Sequence, residues 1–439
     1  MSQVLRVGIV GLGTVGRGTL ALLQENADDI SRRLGAQLQI SQVAIRSPKP
    51  ELDSALSSAG IKFARDHMAL VGADDVDIVV EAIGGVDDAF ALVKQALLNG
   101  KHVVTANKAL IALRGTELLK LAQQQGVQLA FEAAVAGGIP ILKTLREGLA
   151  ANQIDWLAGI INGTSNYILT AMEDEGTSFA PTLAEAQALG YAEADPTFDV
   201  DGIDAAHKLT ILASCAFGVP LNFEQVQIEG IRSITLDDLR YAQDLGYTVK
   251  HLGIAKRTNH GVDLKVYPTL VPNDNILAQI KGVMNAVLVH GNGVGPTCYT
   301  GAGAGARPTG SSVVADIIEV ARGIINGQPA PALGFGDLIA QPSCDPAHSM
   351  SSFYLRMTLS DEVGALAAVT RILADAQVSV EAMLQKQPRL DGNRPIATLI
   401  ILTHEIAQAS LNEALAALQA AEVILSDIMV MQMEHFASD

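Results

Sequence analysis

The sequence predicts an α/β protein in three parts, and three observations carry that reading. Short apolar runs alternate with helical patterns over residues 1–132, a mixed α+β stretch spans 133–300, and residues 351–439 read strand–helix–strand–strand–helix–strand. Alternation of the first kind implies a parallel sheet with right-handed crossovers. The βαββαβ order at the end implies a small ferredoxin-like sandwich. At 439 residues the chain is too long for one ordinary domain.

In the first part, residues 5–10 read as a buried strand, 14–23 as a helix and 39–45 as a second strand. Further strands are expected at 78–82, 102–105 and 127–132, with helical patterns at 90–98 and 116–125. The middle holds an acidic segment (193–204), a helix over 205–217 and strands at 249–255, 262–270 and 286–290, as expected of a substrate and dimerisation domain. Residues 291–310 contain seven glycines and two prolines; the helical pattern 311–325 follows, and 301–326 is expected to complete the first domain. Prolines 329, 331, 342 and 346 mark 327–350 as a linker by composition. The last part predicts strands at 353–360, 378–386, 396–403 and 423–433, with helices at 363–376 and 408–420.

A net charge of −17 excludes a nucleic-acid surface or an anionic membrane as the general partner. Aromatics make up only 4 %, as in a core packed with Ala, Val, Ile and Leu. Cys215, Cys298 and Cys344 form no C-x-x-C pair, so neither a disulfide framework nor a zinc site is signalled. No charge-free apolar run is long enough to span a bilayer, and the first ten residues lack the pattern of a secretory signal. A soluble, cytoplasmic protein is the expectation.

Gly11-Leu12-Gly13-Thr14-Val15-Gly16 follows the first strand and opens the first helix. Gly11 suits a tight turn, Gly13 a close backbone approach to pyrophosphate and Gly16 close helix–strand packing, while the helix N-terminus offers N–H groups at Thr14 and Val15. In this strand–turn–helix context the motif predicts a Rossmann-type dinucleotide site. The second strand ends Val43-Ala44-Ile45-Arg46, with Lys49 nearby, where an NAD-specific site would carry an acid. Arg46 would meet a 2′-phosphate, favouring NADP while leaving NAD possible; the alternative is a solvated surface arginine.

Hydride transfer to an aldehyde needs a group that supplies a proton to the oxygen. Residues 193–208, Glu-Ala-Asp-Pro-Thr-Phe-Asp-Val-Asp-Gly-Ile-Asp-Ala-Ala-His-Lys, concentrate suitable groups. Asp204 and Lys208 stand at i,i+4 and share a helix face, so the carboxylate can orient the amine while other acids bind an ammonium group. Spacing alone equally allows a surface ion pair. A calcium loop centred on Gly202 fails, because Lys208 falls where a glutamate is required. His207 has the right pKa for acid–base work but reads equally as a structural histidine.

Residues 11–16, Thr105-Ala106-Asn107-Lys108, 131–140 (Phe-Glu-Ala-Ala-Val-Ala-Gly-Gly-Ile-Pro), 159–167 (Gly-Ile-Ile-Asn-Gly-Thr-Ser-Asn-Tyr) and 193–208 resemble, in order and spacing, the bacterial homoserine dehydrogenases. The resemblance covers about the first 325 residues. It implies reversible NAD(P)-dependent reduction of L-aspartate 4-semialdehyde to L-homoserine, on the route to threonine, methionine and isoleucine. It implies Lys208 as proton donor and acceptor with Asp204 beside it, Glu193 on the substrate amino group and Asp199 supporting that pocket. It also implies Asn162, Gly163 and Thr164 as pocket lining, although a capped turn explains them as well. Lys108 would lie near the nicotinamide, with Gly190 and Gly303 also against the cofactor; alone, Lys108 reads as a surface lysine. Glu132 with the carbonyls of Val135, Gly137 and Ile139 would form a monovalent-cation site of the kind sodium occupies. Ala306-Arg307-Pro308-Thr309-Gly310 departs from the family's usual Gly-x-Pro-Thr-Ala at its first and last residues.

Residues 360–369 and 378–381 resemble the ACT family of amino-acid-binding modules. Asp361 and Gly364 would then receive an amino-acid effector, threonine being the expected one; a purely structural dimerisation role is the alternative. Exposed sheet edges on such units favour a homo-oligomer, a dimer or tetramer. Two other readings remain at this stage: a dehydrogenase of another small amino or oxo acid, and a non-catalytic NAD(P)-binding sensor.

Overall fold

The structure, a computed structural model, describes residues 3–46, 56, 58, 60–328, 331–345, 347, 349–392 and 394–436. It forms two compact units. The first comprises Met1–Leu157, Asp204–Val226 and Val283–Ala340; the second comprises Ala158–Ile203, Gln227–Gly282 and Gln341–Asp439. The middle of the chain is therefore divided between them rather than standing alone.

The first unit opens with β1 (Val4–Val10), α1 (Thr14–Glu25), α2 (Ala27–Leu34), β2 (Gln37–Ala44), β3 (Lys62–Ala64) and α3 (His67–Val71). It continues with β4 (Ile78–Glu81), α4 (Asp87–Leu98), β5 (His102–Thr105), α5 (Lys108–Gln125) and β6 (Leu129–Ala130). Among the described residues these strands form a parallel sheet in the order β3-β2-β1-β4-β5-β6. The order reverses between β1 and β4, which opens a crevice at the carboxyl ends of those strands. The expected strand at 127–132 shrinks to Leu129–Ala130, because the chain turns into a 3-10 helix at Glu132–Ala134.

Later in the chain, β7 (Ile154–Ile160), α6 (Gly163–Glu175), α7 (Phe179–Ala188), α8 (Thr197–Val200) and α9 (Ile203–Phe217) follow. Every residue of α9 from Asp204 to Phe217 is buried. A helix buried on all sides belongs to a core, and 204–226 accordingly clusters with the parallel-sheet unit. That unit also receives the hairpin of β11 (Met284–Gly291) and β12 (Gly295–Ala302) and the helix α11 (Ala306–Asn326). The glycine-rich stretch thus carries a paired strand, with Gly295 turning at φ 72°.

Helix α11 lays Val313, Ile317 and Val320 on the core formed by Val7, Ile9, Val43, Ile78, Val80 and Val104. It approaches α1 closely: a Cβ on Gly18 would lie 1.8 Å from the Ala306 carbonyl oxygen, and one on Gly310 would lie 2.7 Å from the Gly18 carbonyl carbon. The glycine that departs from the family pattern at 310 is explained by this helix contact.

The second unit contains β8 (Gln227–Ile228), α10 (Leu236–Asp244), β9 (Tyr247–Thr258) and β10 (Gly261–Pro272), β9 and β10 forming a long antiparallel hairpin. Its last part is β13 (Met350–Ser360), α12 (Ala365–Asp375), β14 (Val380–Gln385), β15 (Arg389–Asp391), β16 (Arg394–Thr403), α13 (Gln408–Gln419) and β17 (Met429–Met433). The βαββαβ expectation holds, with β15 as a small added strand and β17 starting later than expected. Its sheet is joined to the hairpin, since β17 pairs with β10 through Thr269–Gln432 and Leu270–Met433. Asp238, fully buried, caps α10 through Thr235 and accepts from Tyr354 Oη and Arg356 Nε on β13. Glu434 accepts from Lys256 Nζ at 2.7 Å and Tyr267 Oη at 3.1 Å.

Among its described residues the proline-rich stretch holds no long helix, and backbone hydrogen bonds tie it down. Ile339 N–H donates to the Gly218 carbonyl in the first unit; in the second, Val262 N–H donates to Pro342 O and Cys344 N–H to Val262 O. Prolines 329 and 346 lie outside the described residues.

Gly310→Ala should lower stability by about 2 kcal/mol despite alanine's better helix propensity, because the overlap with α1 outweighs it. Urea unfolding checks this, and a more stable variant would contradict the helix contact.

Candidate active site

The switch-point crevice places the glycine motif at the end of β1. Gly11 takes φ 95°, and a Cβ there would lie 2.6 Å from the Ala82 carbonyl oxygen. A Cβ on Gly16 would meet the Gly11 carbonyl oxygen at 2.0 Å, so the helix–turn contact needs glycine. Around Gly13 a Cβ would meet nothing within 4 Å. No acidic residue occupies the first turn of α1, where Thr14 and Val15 stand, and no side chain caps it. An open backbone and an uncapped helix N-terminus suit a pyrophosphate. Arg46 follows β2, largely exposed, and pairs with Asp88 at 2.7 Å. Lys49 lies outside the described residues.

The second feature is a buried charge cluster. Asp204, in the first turn of α9, is 2 % exposed. Lys208 Nζ meets one of its oxygens at 2.6 Å, and Lys108 Nζ, from the first residue of α5, meets the other at 2.7 Å. Burial alone would raise the Asp204 pKa, but the two ammonium groups hold it well below the usual carboxylate range. The i,i+4 pair is thus buried and shared, not a solvated surface pair. Sequence spacing gave no signal for Lys108 as the second partner, because it stands on a distant segment. His207 packs its ring 4.6 Å from that of Phe223, and burial pushes its pKa down to about 4, with Asp204 opposing and Lys108 adding.

The loop after β6 is also buried. Glu132 accepts from the N–H groups of Leu142 and Lys143 at 2.9 and 2.8 Å, and its own N–H donates to Asp316 at 2.7 Å. Ala136 and Gly137 take φ values of 52° and 49°, which bends the chain so that Gly137 touches Gly303. The Gly137 carbonyl accepts from Ser312 Oγ, and that of Ile139 from Ile141 N–H. Burial and the neighbouring Asp316 push Glu132 up to about 7. A Cβ on Gly303 would collide with the Asn285 side chain, so packing alone requires this glycine.

In the second unit, Asn162 caps α6 by accepting from Ser165 N–H at 2.7 Å, and its Nδ2 donates to Asp199 Oδ1 at 2.8 Å. Gly163 opens the helix, and Thr164 Oγ1 donates to the Tyr191 carbonyl. Asn162 and Asp199 are thereby brought together. Glu193 is exposed, and Gly190 turns the chain after α7 at φ 75°. In the last part, Gly364 takes φ 98° at the start of α12, with a Cβ meeting nothing there, and Asp361 lies in the same turn, accepting from Gln385 Nε2.

Family models agree with this layout. Residues 11–132 match the NAD-binding domain of homoserine dehydrogenase, 140–318 match homoserine dehydrogenase itself and 353–423 match the ACT domain. The homoserine dehydrogenase of Pseudomonas aeruginosa is 49 % identical over 98 % of this chain and 99 % of its own length. The chain belongs to the homoserine dehydrogenase family. A solved homoserine dehydrogenase from Thiobacillus denitrificans superposes with a TM-score of 0.93 at 47 % identity, covering all of both chains. A hyperthermophilic archaeal homoserine dehydrogenase solved in complex with NADPH gives 0.62 at 29 % identity, covering 77 % of this chain and all of its own. The protein is an oxidoreductase that interconverts L-aspartate 4-semialdehyde and L-homoserine with a nicotinamide dinucleotide, and the Rossmann-type and ACT expectations stand. Among the described residues no helix is long and apolar enough to cross a membrane.

Because the folded His207 stays neutral down to about pH 4 while an unfolded histidine titrates near 6.5, the unfolded state binds more protons between those values. Stability should therefore fall as pH drops from 6.5 towards 4, and His207→Phe should reduce that fall. Urea unfolding at pH 7 and pH 5 tests this; identical pH dependence in both proteins would contradict a neutral buried imidazole.

Proposed function

We propose that Lys208 is the proton donor and acceptor on the substrate oxygen, and the observation that supports it most is the buried carboxylate of Asp204 between two lysines. The dinucleotide, when bound, supplies or accepts the hydride. As the carbonyl oxygen gains electrons, the Lys208 ammonium gives it a proton; in the oxidative direction the neutral amine takes the hydroxyl proton. Asp204 orients Lys208, and Lys108 adds a positive charge that favours developing negative charge on the oxygen. The substrate ammonium is assigned to Glu193 and Asp199, since an oxo-acid without an amino group would call for basic residues instead. Asn162, through Asp199, holds that carboxylate in place, with Gly163 and Thr164 beside it.

NADPH is the proposed hydride donor, with NADH a weaker one: the described residues directly after β2 are Ile45 and the exposed Arg46, whose guanidinium pairs with Asp88, and the archaeal relative was solved with NADPH. Gly11, Gly13, Thr14, Val15 and Gly16 would hold the pyrophosphate, and Gly190 and Gly303 are assigned to the rest of the cofactor. A monovalent cation such as sodium fits beside Glu132. The buried acids Glu132 and Asp316 and the half-buried Glu319 stand with the bases Lys143 and Arg146, and burial beside Asp316 disfavours the Glu132 carboxylate, a cost that a nearby cation would compensate. Glu132 and the carbonyls of Val135, Gly137 and Ile139 would hold it, and the ion would supply that compensation. Threonine is the proposed effector at Asp361 and Gly364, and a homo-oligomer in the cytoplasm is the proposed working form.

Lys208→Ala should lose turnover by about a hundredfold or more while NADPH binding is kept. Following NADPH absorbance with aspartate semialdehyde checks it, and unchanged turnover would remove Lys208 from the role. Arg46→Ala should raise KM for NADPH by about tenfold and leave that for NADH nearly unchanged. Equal effects on both would sink the 2′-phosphate assignment. Titration calorimetry should show heat on threonine addition that Gly364→Leu abolishes; no heat and no inhibition would leave the ACT domain a structural element.

A further inference from the structure

The carboxyl edge of the parallel sheet carries a buried acid that the chemistry above leaves unused. Glu81 is the last residue of β4 and is fully buried, with Val10 of β1 opposite it on one side and Thr105 of β5 on the other. Its Oε1 accepts from the N–H groups of Ile83 and Gly84 at 2.8 and 3.2 Å, and its Oε2 accepts from Thr105 Oγ1 at 2.5 Å. Thr105 Oγ1 in turn accepts from Asn107 N–H at 3.0 Å. The Asn107 side chain donates to the Gly85 carbonyl at 2.6 Å and caps α5 by accepting from Leu110 N–H at 3.1 Å. The next residue is Lys108, whose ammonium meets Asp204.

A carboxylate is an unfavourable occupant of a buried strand end unless its hydrogen bonds are met. Here each bond fixes something the reaction uses. The segment held through Ile83 and Gly84 is the one on which the glycine turn rests, for a Cβ on Gly11 would lie 2.6 Å from Ala82 O and 3.0 Å from Ile83 Cγ2. The bond through Thr105 reaches the cap of α5 and so the backbone from which Lys108 extends. One side chain therefore ties the cofactor turn to the proton-transfer cluster.

We propose that Glu81 is a positioning residue for the reaction, acting through Thr105 and Asn107 on Lys108 and through Ile83 and Gly84 on the glycine turn. The proposal rests on the assignment of Lys108, Asp204 and Lys208 to proton transfer. Its two arms are separable. Thr105→Val keeps the shape of the side chain and breaks only the arm towards Lys108. Asn107→Asp keeps the acceptor that caps α5 but turns the donor facing Gly85 into an acceptor. Both variants should fold, by circular dichroism and thermal melting, and both should lose about ten- to a hundredfold in kcat, with NADPH affinity by fluorescence titration within about twofold of the parent. Thr105→Ser, which restores the hydroxyl, should recover kcat. Glu81→Gln, which leaves one acceptor oxygen for two sets of donors, should lower kcat and weaken NADPH binding together. A folded Thr105→Val or Asn107→Asp with parental kcat overturns the inference, as does a Thr105→Ser no better than Thr105→Val. Lys208→Ala, run alongside, separates the two levels. If it is inactive while Thr105→Val is unimpaired, only the positioning role falls; if it still turns over, the proton-transfer assignment falls and this inference with it.

Discussion

The structure of the active region depends on one carboxylate held between two ammonium groups. Asp204 is nearly solvent-free, and a charge in that position is tolerated only when its partners are close and its oxygens are occupied. Lys208 and Lys108 meet that condition from two helices, α9 and α5, so their ammonium groups are placed by a common partner. On the proposed mechanism, two ammonium groups beside one carboxylate would favour a developing oxyanion over a neutral carbonyl. Removing the carboxylate would leave two lysines repelling each other at short range.

The fold serves this arrangement by burying α9 along its length and packing α11 onto the parallel sheet. Close approaches at Gly18 and Gly310 bring the backbones of α1 and α11 together, where any side chain would push the helices apart, and Gly16 packs in the same way on the turn at Gly11. The ACT sheet is joined to the β9–β10 hairpin by strand pairing and the Glu434 anchor, and to α10 by the buried Asp238.

What the sequence disclosed follows from what is local. The glycine motif, the Asp204–Lys208 spacing and the βαββαβ order are encoded within short stretches, and each appears in the structure. Lys108 as a second partner of Asp204 was hidden, because nothing in its own neighbourhood marks a contact with a distant helix. The glycine-rich run concealed β12, whose pairing comes from β11 and not from strand propensity. The departure at Gly310 was visible but unexplained until Gly18 stood opposite it. Proline content marked a linker, and it gave no sign of the backbone hydrogen bonds that hold Ile339 in the first unit and Cys344 in the second. Glu81 passed as one more residue at the end of an apolar strand, because its hydrogen bonds run to Thr105 on another strand and to the backbone of the turn that follows.

The central claim is that the charge of Asp204, and not merely its shape, organises the lysines. Asp204→Asn keeps the shape and removes the charge, so steady-state kinetics on the folded variant test it directly. The account predicts a loss of at least about a hundredfold in kcat with the dinucleotide dissociation constant unchanged. An asparagine enzyme with parental kcat would contradict it.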